Sequence, residues 1–165
     1  MEWMDRLTTS WVKSHPDWDF SVLPPLVRLT RLALLMAEFQ EQALLPYGLT
    51  PSDYSVLAAL RRSGGGNRLA PSELYSVLEV SSGGMTKMIK RLEARGLVER
   101  SPDPDDGRSN LVHLTAEGRK LEEEAFTAYF EAAKKLLDPL DPGQHKSVDR
   151  SLEQLLGCFE KYFYV

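Results

Sequence analysis

Cysteine is nearly absent from this sequence: Cys158 is the only one in 165 residues. A single thiol excludes an intramolecular disulfide and suits a reducing compartment. No apolar run approaches the roughly 18–20 residues of a membrane-spanning helix. The start, MEWMDRLTTSW, has neither the basic first residues nor the apolar stretch of a secretory leader. The expected location is the cytoplasm, with no membrane partner. Histidine is sparse, and His15, His113 and His145 lie in separate segments without the H-E-x-x-H or C-x-x-C spacing of a metal site. No G-x-S-x-G elbow or serine–histidine pairing is visible either. Gly64, Gly65 and Gly66 are not followed by Gly-Lys-Ser/Thr, so they read as a flexible connection rather than a phosphate loop. Neither an enzyme nor a cofactor or metal is expected. A basic excess is missing too: the net charge is −4, which argues against strong non-specific coating of nucleic acid.

What is present is helical periodicity. Trp3, Met4, Leu7, Trp11 and Val12 predict a short amphipathic helix, broken at His15-Pro16-Asp17. A second helix begins near Ser21, tolerating Pro24 and Pro25 in its first turn, and ends at Pro46-Tyr47-Gly48. Thr50-Pro51 opens a third, with Thr50 as cap and Asp53 where the helix dipole favours a carboxylate. Pro71 opens a short helix through Leu74 and Leu78. Far downstream, Thr115 caps a long helix ending near Leu137, and Asp141-Pro142 starts a last one with a broad apolar stripe through Leu152, Leu155, Leu156, Phe159, Tyr162 and Phe163. The end helices carry more large apolar side chains than one small lobe can cover, which predicts a homodimer.

The stretch from Ser81 to Leu114 is the most informative. Ser81 or Ser82 can cap a helix whose apolar Met85, Met88, Ile89 and Leu92 recur at three- to four-residue steps. Lys87, Lys90, Arg91 and Arg95 fall between them, and Gly96 stands where a left-handed helix end suits glycine. Between Ser81 and Arg100 the charge excess is +3, inside an otherwise acidic chain. Val98 and then Leu111, Val112 and Leu114 flank Pro102-Asp103-Pro104-Asp105-Asp106-Gly107, a turn-rich tip. Helix, brief turn, basic helix and hairpin together form a winged helix-turn-helix. A charged face is often only a solvated face. Gly83 and Gly84 argue otherwise here, since two glycines inside a helix cost about 2 kcal/mol that close approach to DNA would explain.

Three pieces carry a family resemblance: S-S-G-G-M-T at Ser81–Thr86, R-L-E-x-x-G-L-V at Arg91–Val98, and D-x-R-S at Asp106–Ser109. In this order and spacing the segment resembles the DNA-binding lobe of the MarR family of transcriptional regulators, from about Pro46 to about Leu121. The resemblance implies a mainly α fold with a small β-hairpin wing. It divides the chain into an N-terminal dimerisation arm (1–45), a winged helix-turn-helix lobe (46–115) and C-terminal dimerisation helices (116–165). It implies a dimer binding double-stranded DNA at a pseudo-palindromic operator, as a repressor. Ser82, Thr86 and Lys87 are then the candidates for base or nearby phosphate contacts, with Lys90 for phosphate. Arg91 stands at one edge, either on phosphate or bracing the hairpin. Arg108 is the wing contact, and Asp106 supports it through a short-range ion pair.

Members of that family usually bind a small aromatic or anionic ligand between the dimer helices and the lobe. Trp11, Pro16, Asp17 and Asp19 are similar to the N-terminal pattern of a urate-responsive subgroup. The subgroup's acidic residue is replaced at Ser55 and its basic one at Met88, which removes the charges urate needs. The expected cleft, bounded by Trp11, Tyr54, Ser55 and Met88, suits a more apolar aromatic effector. Peroxide-sensing members resemble one another in an N-terminal cysteine that this chain lacks. The competing class is a winged-helix protein-interaction module that does not bind DNA.

Overall fold

The computed structural model describes residues 2–64, 67–104 and 110–164. The chain divides into two compact units, residues 1–125 and 126–165. In the first, α1 (Glu2–Ser14) packs on α2 (Leu23–Leu44). The turn between them is filled by rings: the His15 imidazole lies 5.9 Å from Trp11 and 5.0 Å from Trp18. Pro24 and Pro25 sit in the first turn of α2, where a missing N–H costs nothing. A short 3₁₀ turn, Leu45–Tyr47, ends at Gly48 in the left-handed conformation.

The lobe follows. α3 (Pro51–Arg62) is capped by Thr50, whose Oγ1 accepts from the Asp53 N–H at 3.1 Å. α4 (Pro71–Val77) and α5 (Ser82–Ala94) form the helix-turn-helix, and β2 (Val98–Pro102) and β3 (Asn110–Leu114) pair antiparallel with Val98 opposite Leu114 and Pro102 opposite Asn110. The core gathers one face from each element: Val56, Leu57 and Leu60 of α3, Leu74 of α4, Met85, Ile89 and Leu92 of α5, and Val98, Val112 and Leu114 of the sheet. Each is at most 2% exposed. Leu44 of α2 reaches the same cluster.

One strand was not expected. The sequence marks no element between the Gly64–Gly66 connection and Pro71, yet Arg68–Leu69 forms β1 and pairs with β3, Leu69 opposite Val112, giving the sheet order β1-β3-β2. Two residues are too few for an alternation to show in sequence.

α6 (Ala116–Leu137) starts under the wing. Thr115 caps it as predicted, its Oγ1 accepting from the Gly118 N–H at 3.0 Å while donating to the Gly96 carbonyl at 2.7 Å. In the second unit α7 (Pro142–Phe163) is capped by Asp141, whose carboxylate accepts from the Gly143 and Gln144 N–H groups. Leu152, Leu156, Phe159 and Phe163 of α7 are exposed in the single chain, as are Phe126 and Phe130 of α6, and in the first unit α2 exposes Leu32, Leu34, Leu35 and Met36. Apolar surface of that extent on a lone chain invites association.

Candidate nucleic-acid interface

The basic helix α5 begins at Ser81, whose Oγ accepts from the Gly84 N–H at 3.2 Å. That settles which serine caps: Ser81 does, and Ser82 is the first helical residue, exposed. Met85, Met88, Ile89 and Leu92 are buried, while Ser82, Gly83, Thr86, Lys87 and Lys90 are exposed on the opposite side. Thr86 Oγ1 donates to the Ser82 carbonyl at 2.9 Å. This fixes its rotamer and leaves the hydroxyl oxygen to accept a bond from outside. Among the described residues neither Lys87 nor Lys90 is engaged in an ion pair.

Arg91 is placed differently from expectation. Its Nε donates to both carboxylate oxygens of Asp53, at 2.9 and 3.1 Å, and its Nη2 donates to Oδ1 at 2.6 Å. Asp53 is 2% exposed and also accepts from Thr50 Oγ1 at 2.9 Å. The guanidinium therefore ties the last turn of α5 to the first turn of α3, and does not brace the hairpin. Arg95 serves the same junction, donating to the Gly48 carbonyl at 2.7 Å and the Tyr47 carbonyl at 3.2 Å. The hairpin is braced by Arg100 instead, whose Nε donates to Glu93 Oε1 at 2.9 Å. Asp53 was legible only as a dipole partner. Its burial opposite an arginine thirty-eight positions later is a tertiary fact.

The turn that aims α5 ends α4. The Val80 N–H donates to the Tyr75 carbonyl at 3.2 Å, closing the end of α4 around Glu79, which stands at φ 51° where glycine is usual. At the wing, β2 and β3 bring Glu99 opposite His113, with Oε1 3.6 Å from Nδ1. Asp106 and Arg108 lie outside the described residues.

Of the expected ligand cleft, Met88 is only 8% exposed and belongs to the lobe core, and Tyr54 packs against that core. Ser55 Oγ donates to the Pro51 carbonyl at 2.9 Å. Met88 is thus a packing residue, because its position on α5 turns inward with Met85 and Leu92. Trp11 is 50% exposed on α1, beside His15. A groove of about 450 Å³ runs along α2, lined by Val27, Thr30, Arg31 and Leu34.

Comparison with known proteins agrees with this architecture. A model of the MarR family matches residues 47–109, from the end of α2 to the wing. The HTH-type transcriptional regulator PecS of Dickeya dadantii is 28% identical over 94% of this chain and 92% of its own length. The multiple antibiotic resistance protein MarR of Salmonella typhimurium is 35% identical over 67% of this chain and 74% of its own. A MarR mutant from E. coli, solved in complex with operator DNA, superposes with a TM-score of 0.69 at 29% identity, covering 83% of this chain and 97% of that one. AbsC of Streptomyces coelicolor, at 24% identity and a TM-score of 0.75, shares the fold. With the capped basic helix, its turn and its sheet arranged as described, the chain belongs to the MarR family of winged helix-turn-helix regulators.

Proposed function

We propose that this protein is a homodimeric, sequence-specific DNA-binding transcriptional regulator, acting as a repressor. The observation that carries the reading is the exposed face of α5, where Thr86, Lys87 and Lys90 stand outward with no ion pair among the described residues. A helix of this kind enters the major groove with its N-terminal residues on base edges. Ser82, Thr86 and Lys87 read the bases or adjacent phosphates, Lys90 holds phosphate, and the wing's Arg108, supported by Asp106, adds a further contact. Residues 1–45 and 116–165 supply the dimer arms around the 46–115 lobe, consistent with their exposed apolar side chains. Two heads then meet half-sites about one helical turn, roughly 10 bp, apart.

Selection of binding sites from random duplexes tests this directly. An enriched pseudo-palindrome is expected. Thr86→Ala or Lys87→Ala should cost about 1–3 kcal/mol on it and relax discrimination at one position of each half-site. Arg108→Ala should weaken binding to most sequences and flatten the salt dependence. No enriched sequence would leave the protein-interaction module as the better reading.

Release by a small aromatic or anionic effector completes the proposal. Such a ligand acts by binding one spacing of the two heads more tightly than the other. With Met88 packed into the core, Trp11 and the α2 groove, where Arg31 offers a cation beside Val27 and Leu34, are the better-supported surfaces. Tyr54 and Ser55 remain the lobe side of the cleft. Titration of phenolic acids and urate against the operator complex, read by release and by tryptophan fluorescence, tests it; release that survives Trp11→Ala unchanged moves the site.

A further inference from the structure

Gly83 stands in the first turn of α5 on its exposed face, one turn before Thr86 and Lys87 and two before Lys90. Three reasons ordinarily keep a glycine in a helix, and the described residues supply none of them here. The first is a backbone that other residues avoid; among the described glycines only Gly48, Gly64 and Gly96 have positive φ, and Gly83 does not. The second is crowding within the fold. A Cβ built at Gly83 meets nothing within 4 Å. The third is a left-handed C-terminal helix end, which here falls at Gly96, whereas Gly83 lies in the first turn of α5, behind the Ser81 cap. The adjacent glycine is a useful contrast. A Cβ on Gly84 would lie 3.2 Å from the capping Oγ of Ser81, so Gly84 has a reason inside the chain. Glycine otherwise weakens a helix relative to alanine.

We infer that Gly83 is the point at which the backbone of α5 lies directly against the DNA, in a space that a methyl group would fill. The inference rests on the DNA-reading role proposed above and adds a specificity-determining position to it. Thr86, Lys87 and Lys90 then reach their partners only because the helix can sit this deep. A Cβ at position 83 would hold the whole face outward by a fraction of an ångström to an ångström, which short directional hydrogen bonds to base edges do not tolerate. Loosely docked, non-specific complexes depend on the lysine charges and would be little affected.

The test uses the full-length protein, wild type and Gly83→Ala, with an operator taken from selection on the wild type, a random duplex of the same length, and thermal unfolding. Gly83→Ala is expected to melt no lower than wild type and to bind the operator at least tenfold more weakly. Its affinity for the random duplex, and the salt slope of that affinity, should be unchanged. Gly84→Ala, which crowds the cap, should instead melt lower. A loss of less than tenfold on the operator overturns the inference while leaving the regulator reading intact. An equal loss on both duplexes overturns it as well, since that would mark a general defect. A lower melting temperature for Gly83→Ala shows that the fold needs this glycine, and also overturns it. If the wild type enriches no duplex, the regulator reading itself fails and takes this inference with it.

Discussion

The Arg91–Asp53 pair separates a positioning role from a DNA contact, and its asymmetry makes it measurable. Asp53 is 2% exposed, whereas the Arg91 side chain is 48% exposed. Three donor–acceptor distances of 2.6, 2.9 and 3.1 Å describe a bidentate, charge-assisted pair. Hydrogen bonds to charged groups contribute about 1.5–3 kcal/mol, and removing one partner of a buried pair costs about 3–5 kcal/mol. Water reaches the arginine side here, so the cost falls at or below the bottom of that range. Arg91→Ala strands a buried carboxylate that keeps only Thr50 Oγ1 and its own helix N-terminus, and should cost about 2–3 kcal/mol. Asp53→Ala leaves a guanidinium that water can rehydrate, and should cost about 1–2 kcal/mol. Urea unfolding of the two single variants and the double variant closes the cycle, with a coupling on the order of 1–2 kcal/mol expected. The same proteins titrated onto operator over a salt series give the second readout. A positioning Arg91 lowers affinity with the salt slope retained. If Arg91→Ala costs less than about 0.5 kcal/mol and lowers the slope by about one per head, the arginine is a phosphate contact and the reasoning fails.

Gly118, in the first turn of α6, is the most crowded of the described glycines: an added Cβ would lie inside contact distance of the Leu97 carbonyl oxygen and 2.8 Å from its carbon, so Gly118→Ala should destabilise by at least about 2 kcal/mol in urea unfolding. Glu79 holds a left-handed conformation at φ 51°, and Glu79→Gly should raise stability by about 0.5–1 kcal/mol, since the strain relieved exceeds the chain entropy added. Glu122 is 5% exposed, and burial, opposed by Arg61 at 3.7 Å, raises its pKa above the ordinary carboxylate value. The folded state therefore binds its proton more readily than the unfolded chain does, and stability falls as pH rises from the unfolded to the folded pKa. Glu122→Gln should be no less stable than wild type near pH 7, with any advantage shrinking on acidification through the carboxylate range; a large loss at neutral pH would show that the Arg61 pair outweighs the burial.

What could be read from the sequence was whatever depends on neighbours along the chain. Caps at Thr50, Thr115 and Asp141, the left-handed Gly96, and the inward faces of α3 and α5 follow from spacings of three or four residues, and the structure keeps them. The missed features are set across the fold. β1 exists because β3 offers an open edge to two residues, and Arg91 points to Asp53 because α3 and α5 cross there. Met88 illustrates the same limit in reverse. Its spacing with Met85 and Leu92 already marked it as apolar core, and assigning it to a ligand cleft set the family pattern above that periodicity.

The acidic net charge, −4 over the chain, at first opposes a nucleic-acid partner. The lobe resolves the conflict by pairing. Asp53 is held by Arg91, and Glu93 by Arg100 at 2.9 Å. At such distances each carboxylate's field is largely cancelled beyond a few ångströms, well inside a Debye length of about 8 Å. The charges that project from α5 uncompensated among the described residues are those of Lys87 and Lys90. The arginines are thus used as struts, where a rigid bidentate fork is an advantage. The flexible lysines are left for a partner whose position is not fixed until it binds. A head built this way has few counterion-releasing groups, so its non-specific affinity is low and its salt dependence shallow. Most of its discrimination must then come from close fit along one short helix face.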